Sequence, residues 1–116
     1  QETQDEIRAQ ITQAVATRQA KMVKDCWSRM REVVGRIAEQ CGKEKGVIRD
    51  SLMDNARDLV AVLGGLNVTN DPEIAAVEND IRDKLLVPTT RLRISPGARV
   101  QTAQIARELL ERMPQE

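Results

Sequence analysis

The sequence predicts an all-α fold of four helices, in which a long N-terminal helix, able to bend near Gly35, is packed by three shorter ones. Apolar residues recur at helical spacing over long stretches, and two Xaa-Pro pairs mark helix starts. The one alternating segment, 89–94, has no second strand to pair with, so we interpret it as a loop. At 116 residues the chain has the length of one domain. We expect a single helical domain over 1–116, taken from a longer protein because the first residue is Gln.

The first helix covers the region from Glu2 to Cys41, which contains no proline and one glycine. Two series of apolar residues spaced eleven apart run along it: Ile11, Met22 and Val33, and Val15, Cys26 and Ile37. Eleven residues in three turns give a period of about 3.67, against 3.5 for a heptad repeat. The pattern therefore predicts a helix that is straight or faintly right-handed, and not a leucine-zipper strand.

The second helix follows a short polar connection after Gly42. Its apolar stripe runs from Ile48 to Leu63, and aspartates line the opposite side, which is typical of a helix that packs on one face. We expect Gly64 and Gly65 to end it, because glycine destabilises a helix interior.

Asp71-Pro72 and Ser95-Pro96 place the remaining two helices. Each pair combines an N-cap side chain with a proline at the first helical position, where the missing N–H costs no hydrogen bond. The third helix is expected to extend to about Leu86, before Pro88, and the fourth to cover about 97–113.

The composition excludes most familiar catalytic chemistry. The chain has no histidine, which removes the commonest general base, the commonest transition-metal ligand and the Ser-His and Cys-His pairs. Cys26 and Cys41 are too few for a disulfide scaffold and lie on the apolar side of the first helix, so we expect buried thiols. We predict a protein that is not an enzyme and has no catalytic residue, cofactor or metal site. Without a signal pattern or an 18-residue apolar run, we expect it in the cytoplasm and not in a membrane.

The apolar surface of the first helix is longer and wider than its own chain can cover. About 38 helical residues span about 57 Å, whereas the shorter helices span about 27, 21 and 25 Å. We therefore predict a structural or protein-protein interaction module that self-associates as a homodimer and leaves room for a further protein partner. The expected interface residues are Ile7, Ile11, Val23, Trp27 and Val34. Alternatively, the four helices bury the wide apolar arc, including Trp27, inside the chain.

An arginine-rich strip gives the alternative function, a nucleic-acid-binding module. Eighteen bases balance eighteen acids in the whole chain, yet no acid occurs from Lys84 to Arg107. The candidate phosphate-binding residues of this strip are Arg91, Arg93, Arg99 and Arg107. The competing interpretation is that these arginines form ion pairs with the acidic third helix, or that they are solvent-exposed residues of a loop. The neutral net charge and the lack of stacking aromatics count against nucleic acid.

Overall fold

Five α-helices and one π-helical turn make up the part of the chain that the structure, a computed structural model, describes: residues 2–43, 47–66 and 71–114, without the side chains of 2–5, 64 and 66. In chain order the elements are α1 (Glu2–Gly42), α2 (Asp50–Leu66), α3 (Pro72–Asp80), a π-helical turn (Ile81–Leu85), α4 (Thr89–Ile94) and α5 (Pro96–Arg112). No strand occurs in these residues. The predicted all-α fold, with a long first helix packed by shorter ones, is confirmed.

Helix α1 is one continuous element of 41 residues, and it passes through Gly35 without interruption. A helix of that length spans about 60 Å, which accounts for most of the 69 Å long axis of the molecule. Helices α5 and α2 lie against it, with α3 and the π-helical turn packed on α5. No described helix is long and apolar enough to cross a lipid bilayer.

The hydrophobic core lies at the C-terminal end of α1. Six residues of α1 between positions 26 and 41 are buried there: Cys26, Trp27, Met30, Val34, Ile37 and Cys41. The other helices contribute fully buried residues that include Met53, Leu63, Ile74, Ile81, Leu85 and Leu92. The two cysteines are free and buried, as the sequence predicts. A single core therefore joins all the helices to one half of α1.

Two predicted helix starts are confirmed by their capping hydrogen bonds. The Asp71 carboxylate accepts from the backbone N–H of Glu73 and Ile74, at 2.9 and 3.3 Å. The Ser95 hydroxyl accepts from the N–H of Ala98 at 3.2 Å. These side chains satisfy donors that the first helical turn leaves without a backbone partner.

Helix ends differ slightly from the prediction. Helix α2 continues through Gly64 and Gly65 to Leu66, and residues 67–70, which precede Asp71, lie outside the described residues. The connection at 44–46 is also outside them. The third helix stops being α-helical at Asp80, but its π-helical turn carries the chain to Leu85, close to the expected end.

The prediction of a loop at 89–94 was wrong, because this segment forms the short helix α4. Its first turn closes when the Pro88 carbonyl accepts from the N–H of Arg91, at 3.0 Å, and of Leu92. The Leu92 side chain is completely buried in the core. The guanidinium of Arg99 donates to the carbonyls of Leu92 and Arg93, which lie at the end of the helix and have no partner further along it. Tertiary contacts, which the local sequence does not show, stabilise this turn.

Candidate interaction surface

The N-terminal half of α1 projects beyond the other helices. Every side chain from Glu6 to Met22 is exposed, and Cys26 is the first buried residue of the helix among those described. These seventeen residues span about 25 Å. We call residues 6–25 the projecting half of α1 and residues 26–42 its docked half.

A row of large aliphatic side chains follows one side of the projecting half. The exposed fractions are 50% for Ile7, 59% for Ile11, 46% for Val15 and 38% for Met22. At about 100° per residue these four positions fall within an arc of about 80°, so they lie on one side of the helix, with exposed Arg18 between Val15 and Met22. We call this row the bare strip. Large apolar side chains gathered on one exposed side of a helix mark a candidate interaction surface.

The bare strip is a different face of α1 from the one buried in the core. The buried residues of the docked half follow spacings of three and four, as in Trp27, Met30, Val34 and Ile37. The centre of that buried face is rotated by about 100° from the bare strip. The wide apolar surface that the sequence predicts for α1 therefore consists of two narrower faces. The chain's own helices cover the face that is buried in the core and leave the bare strip exposed.

The predicted interface residues divide between these two faces. Ile7 and Ile11 lie on the bare strip, whereas Trp27 and Val34 are buried in the chain's own core and Val23 is half-buried at its edge. The alternative interpretation, in which the chain buries its single tryptophan, is the one the structure supports. We therefore leave Trp27 and Val34 out of the proposed interface.

Sequence reasoning did not select Val15 and Met22 for the interface, although both lie on the bare strip. The signal was present in the spacing. Ile7, Ile11 and Val15 are four residues apart and Met22 follows seven later, a pattern that keeps them on one side of a helix. The prediction gave more weight to Trp27, the single aromatic residue, than to this spacing.

A groove between α1 and α2 lies further along the side of α1 that carries the bare strip. Its apolar lining consists of half-buried Val33, buried Leu59 and exposed Val62. Its charged lining is both basic and acidic: Arg29, Arg36, Glu32 and Asp58. Val33 lies on the same side of α1 as the bare strip, at about 60° on a helical wheel on which Val15 has the same position. Exposed Arg29 lies on this side between Met22 and Val33, so the apolar lining of the groove is separate from the bare strip.

Two of the four candidate phosphate-binding arginines make contacts within the chain. Arg93 donates to an Asp50 carboxylate oxygen at 2.8 Å and to the Ile48 carbonyl at 2.9 Å, and Arg99 donates to carbonyls at the end of α4. Arg91 and Arg107 are exposed. Arg93 joins α4 to the start of α2, a helix other than the acidic third helix that the sequence suggested as its partner.

Two aspartates at helix junctions have lowered pKa values. Hydrogen bonds from the Thr89 hydroxyl, at 2.7 Å, and from Arg93 lower the pKa of Asp50. A hydrogen bond from Arg112 lowers the pKa of Asp80, helped by the charge of Lys84. Each bond favours the ionised carboxylate. These pairs link α2 to α4 and α3 to α5.

The two cysteine thiols, in contrast to these aspartates, have raised pKa values. Burial raises the pKa of the Cys26 thiol and of the Cys41 thiol, because the charged thiolate is penalised away from water. A thiol that stays protonated is a poor nucleophile and a poor metal ligand. In the described part of the chain, no three His, Cys, Asp or Glu side chains are grouped so as to hold a metal ion.

Comparison with models of known protein families, with curated proteins and with solved structures finds no match for this chain. The candidate site is therefore defined by geometry alone. It consists of the bare strip on the projecting half and the separate groove beside Val33.

Proposed function

We propose that this chain is a non-catalytic structural module that self-associates through the projecting half of α1. The observation that carries the proposal is the bare strip, four large aliphatic side chains in a row that are each about half exposed. Complete burial of such a side chain contributes about 1.5–3 kcal/mol, so covering the exposed half of four of them contributes about 3–6 kcal/mol per chain.

The helical state of the projecting half gives a second argument. Most helical stability in proteins comes from packing of an apolar face and not from intrinsic propensity. Burial in the chain's own core stabilises only the docked half. A partner on the bare strip would supply the missing packing to the projecting half.

A homodimer is the simplest assembly that covers the strip, because each copy brings the same apolar face and a two-fold axis can match them. We place this module in the cytoplasm, where a reducing setting suits two buried free thiols. A further protein partner would use surface that the dimer leaves free. The nucleic-acid alternative has weaker support, since Arg93 and Arg99 are engaged within the chain.

The test is the mass of the purified chain, measured by light scattering after size exclusion. We expect twice the 13.0 kDa of one chain at micromolar concentration. Ile11→Glu places a charge on the bare strip and is expected to give the mass of one chain. Gln13→Glu is the matched control, since it adds the same charge on the opposite side of the helix at an exposed position.

Two outcomes would contradict the proposal. One is a single-chain mass for the unmodified protein across the micromolar range. The other is a dimer that Ile11→Glu leaves intact, which would place the interface away from the bare strip. Circular dichroism of both variants checks that the fold is retained.

A further inference from the structure

A cavity separate from the bare strip lies where α1 ends and α2 begins. Its volume is about 430 Å³, which is within the range of about 300–1,000 Å³ typical of small-molecule sites. Of the described residues that line it, three are basic, three carry neutral polar side chains and none is acidic. The bases are Arg36, Lys43 and Arg49, and the neutral polar residues are Gln40, Ser51 and Asn55.

We propose that this cavity binds a small organic molecule through its phosphate or diphosphate group. Arg36 lies in the last two turns of α1, Lys43 directly follows that helix and Arg49 directly precedes α2. The fold therefore brings bases from two parts of the chain to one cavity. Arginine and lysine bind phosphate oxygens through charge-assisted hydrogen bonds. Exposed Val47 and half-buried Leu52 provide an apolar wall for the organic part of the ligand. The proposal does not depend on self-association, because these lining residues belong to one chain.

The acidic residue next to Arg49 in the chain is held at another helix. Asp50 follows Arg49 directly, but its carboxylate accepts hydrogen bonds from the Thr89 hydroxyl at 2.7 Å and from the Arg93 guanidinium at 2.8 Å, both on α4. Arg49 itself forms no ion pair with a carboxylate in the described part of the chain. Its charge is therefore available to an anion in the cavity.

The ion pairs of Arg36 and Lys43 leave both bases able to bind an anion. Arg36 contacts Glu32 at 2.8 Å and Lys43 contacts Glu39 at 3.2 Å, and neither glutamate lines the cavity. All four side chains are more than half exposed, and exposed pairs one helical turn apart contribute little to stability. A guanidinium has five N–H donors and an ammonium has three, so each base keeps donors for a second partner. A phosphate group can therefore bind beside these weak pairs or replace them.

Isothermal titration calorimetry with inorganic pyrophosphate at low salt tests the site. We expect saturable binding of one pyrophosphate per chain. Arg49→Gln removes one positive charge from the cavity and should weaken binding about tenfold or more, which is the usual effect of losing a hydrogen bond between charged groups. Lys43→Gln is a second variant at an exposed position, and it should weaken binding in the same direction.

Arg107→Gln is the matched control. It removes the same charge from an exposed position on α5 that does not line the cavity, and it should leave the affinity for pyrophosphate almost unchanged. Because Arg107 belongs to the arginine-rich strip, this control also separates the cavity from that strip. Circular dichroism of the three variants checks that each retains the helical content of the unmodified chain.

Three outcomes would overturn the proposal. The first is no saturable binding of pyrophosphate to the unmodified chain, and the second is an affinity that neither cavity variant changes. The third is an equal loss of affinity in Arg107→Gln and in the two cavity variants, which would mean that pyrophosphate responds to the overall charge of the chain. Binding that only the cavity variants weaken supports the proposal, whether the chain has the mass of a monomer or of a dimer.

Discussion

The two halves of α1 have similar apolar content and opposite surroundings. In the docked half the large apolar residues, such as Met30 and Ile37, are completely buried by helices of the same chain. In the projecting half Ile7 and Ile11 stay at least half exposed. The apolar pattern of α1 therefore shows where the helix needs a packing partner, while the length of the other helices determines how much of α1 the same chain can cover.

The largest difference between the halves is expected in stability. Ile37→Ala in the docked half leaves a cavity in a packed core and should lower the free energy of unfolding by about 2–5 kcal/mol. Ile11→Ala in the projecting half should not change the unfolding of the single chain. Urea denaturation followed by fluorescence of Trp27 measures both, because this buried tryptophan reports on the docked half.

These denaturation experiments belong at a concentration where the chain is monomeric, so that Ile11→Ala does not act through assembly. If Ile11→Ala then destabilised the chain as strongly as Ile37→Ala, the projecting half would have to fold back onto the core. The distinction between the halves would be lost.

A smaller effect is expected from acid, and it concerns the docked half. The pKa of Asp50 is lowered in the folded chain by hydrogen bonds from Thr89 and Arg93. The stabilisation is therefore fully present above the ordinary aspartate pKa of about 3.9 and is lost as the pH falls through the lowered value. At neutral pH, Asp50→Asn should be less stable than the unmodified chain, by less than Ile37→Ala.

The difference between Asp50→Asn and the unmodified chain should shrink once the pH is below about 4. Urea midpoints at neutral and acid pH measure this. If Asp50→Asn lowered the stability by the same amount at both pH values, the Asp50 charge would not stabilise the junction of α2 and α4. Because this carboxylate is exposed, added salt should also reduce the difference.

Local sequence signals predicted most of the fold. Helical spacing in α1 and the caps at Asp71 and Ser95 depend on neighbours within a few residues, so the sequence shows them directly. Helix α4 depends on Arg99 and on burial of Leu92, which come from tertiary packing and were missed. No local pattern distinguishes a helix that the core stabilises from a loop at this position.

The candidate site was predicted only in part, for a related reason. Spacing placed Ile7 and Ile11 on an apolar side of α1, and the length argument showed that the other helices cannot cover it. Which of the two apolar faces they cover depends on how α2 and α5 pack, and this assigns Trp27 and Val34 to the core. The groove beside Val33 and Val62 is formed by two helices and has no signature in either one.

Hydrogen exchange of α1 at several protein concentrations tests the central claim most directly. If a second copy covers the bare strip, the backbone amides of residues 6–22 should gain protection as concentration rises, while those of the docked half remain protected throughout. The gain should follow the change in mass from one chain to two. Rapid exchange of residues 6–22 at every concentration, including those at which the mass is that of a dimer, would contradict the account.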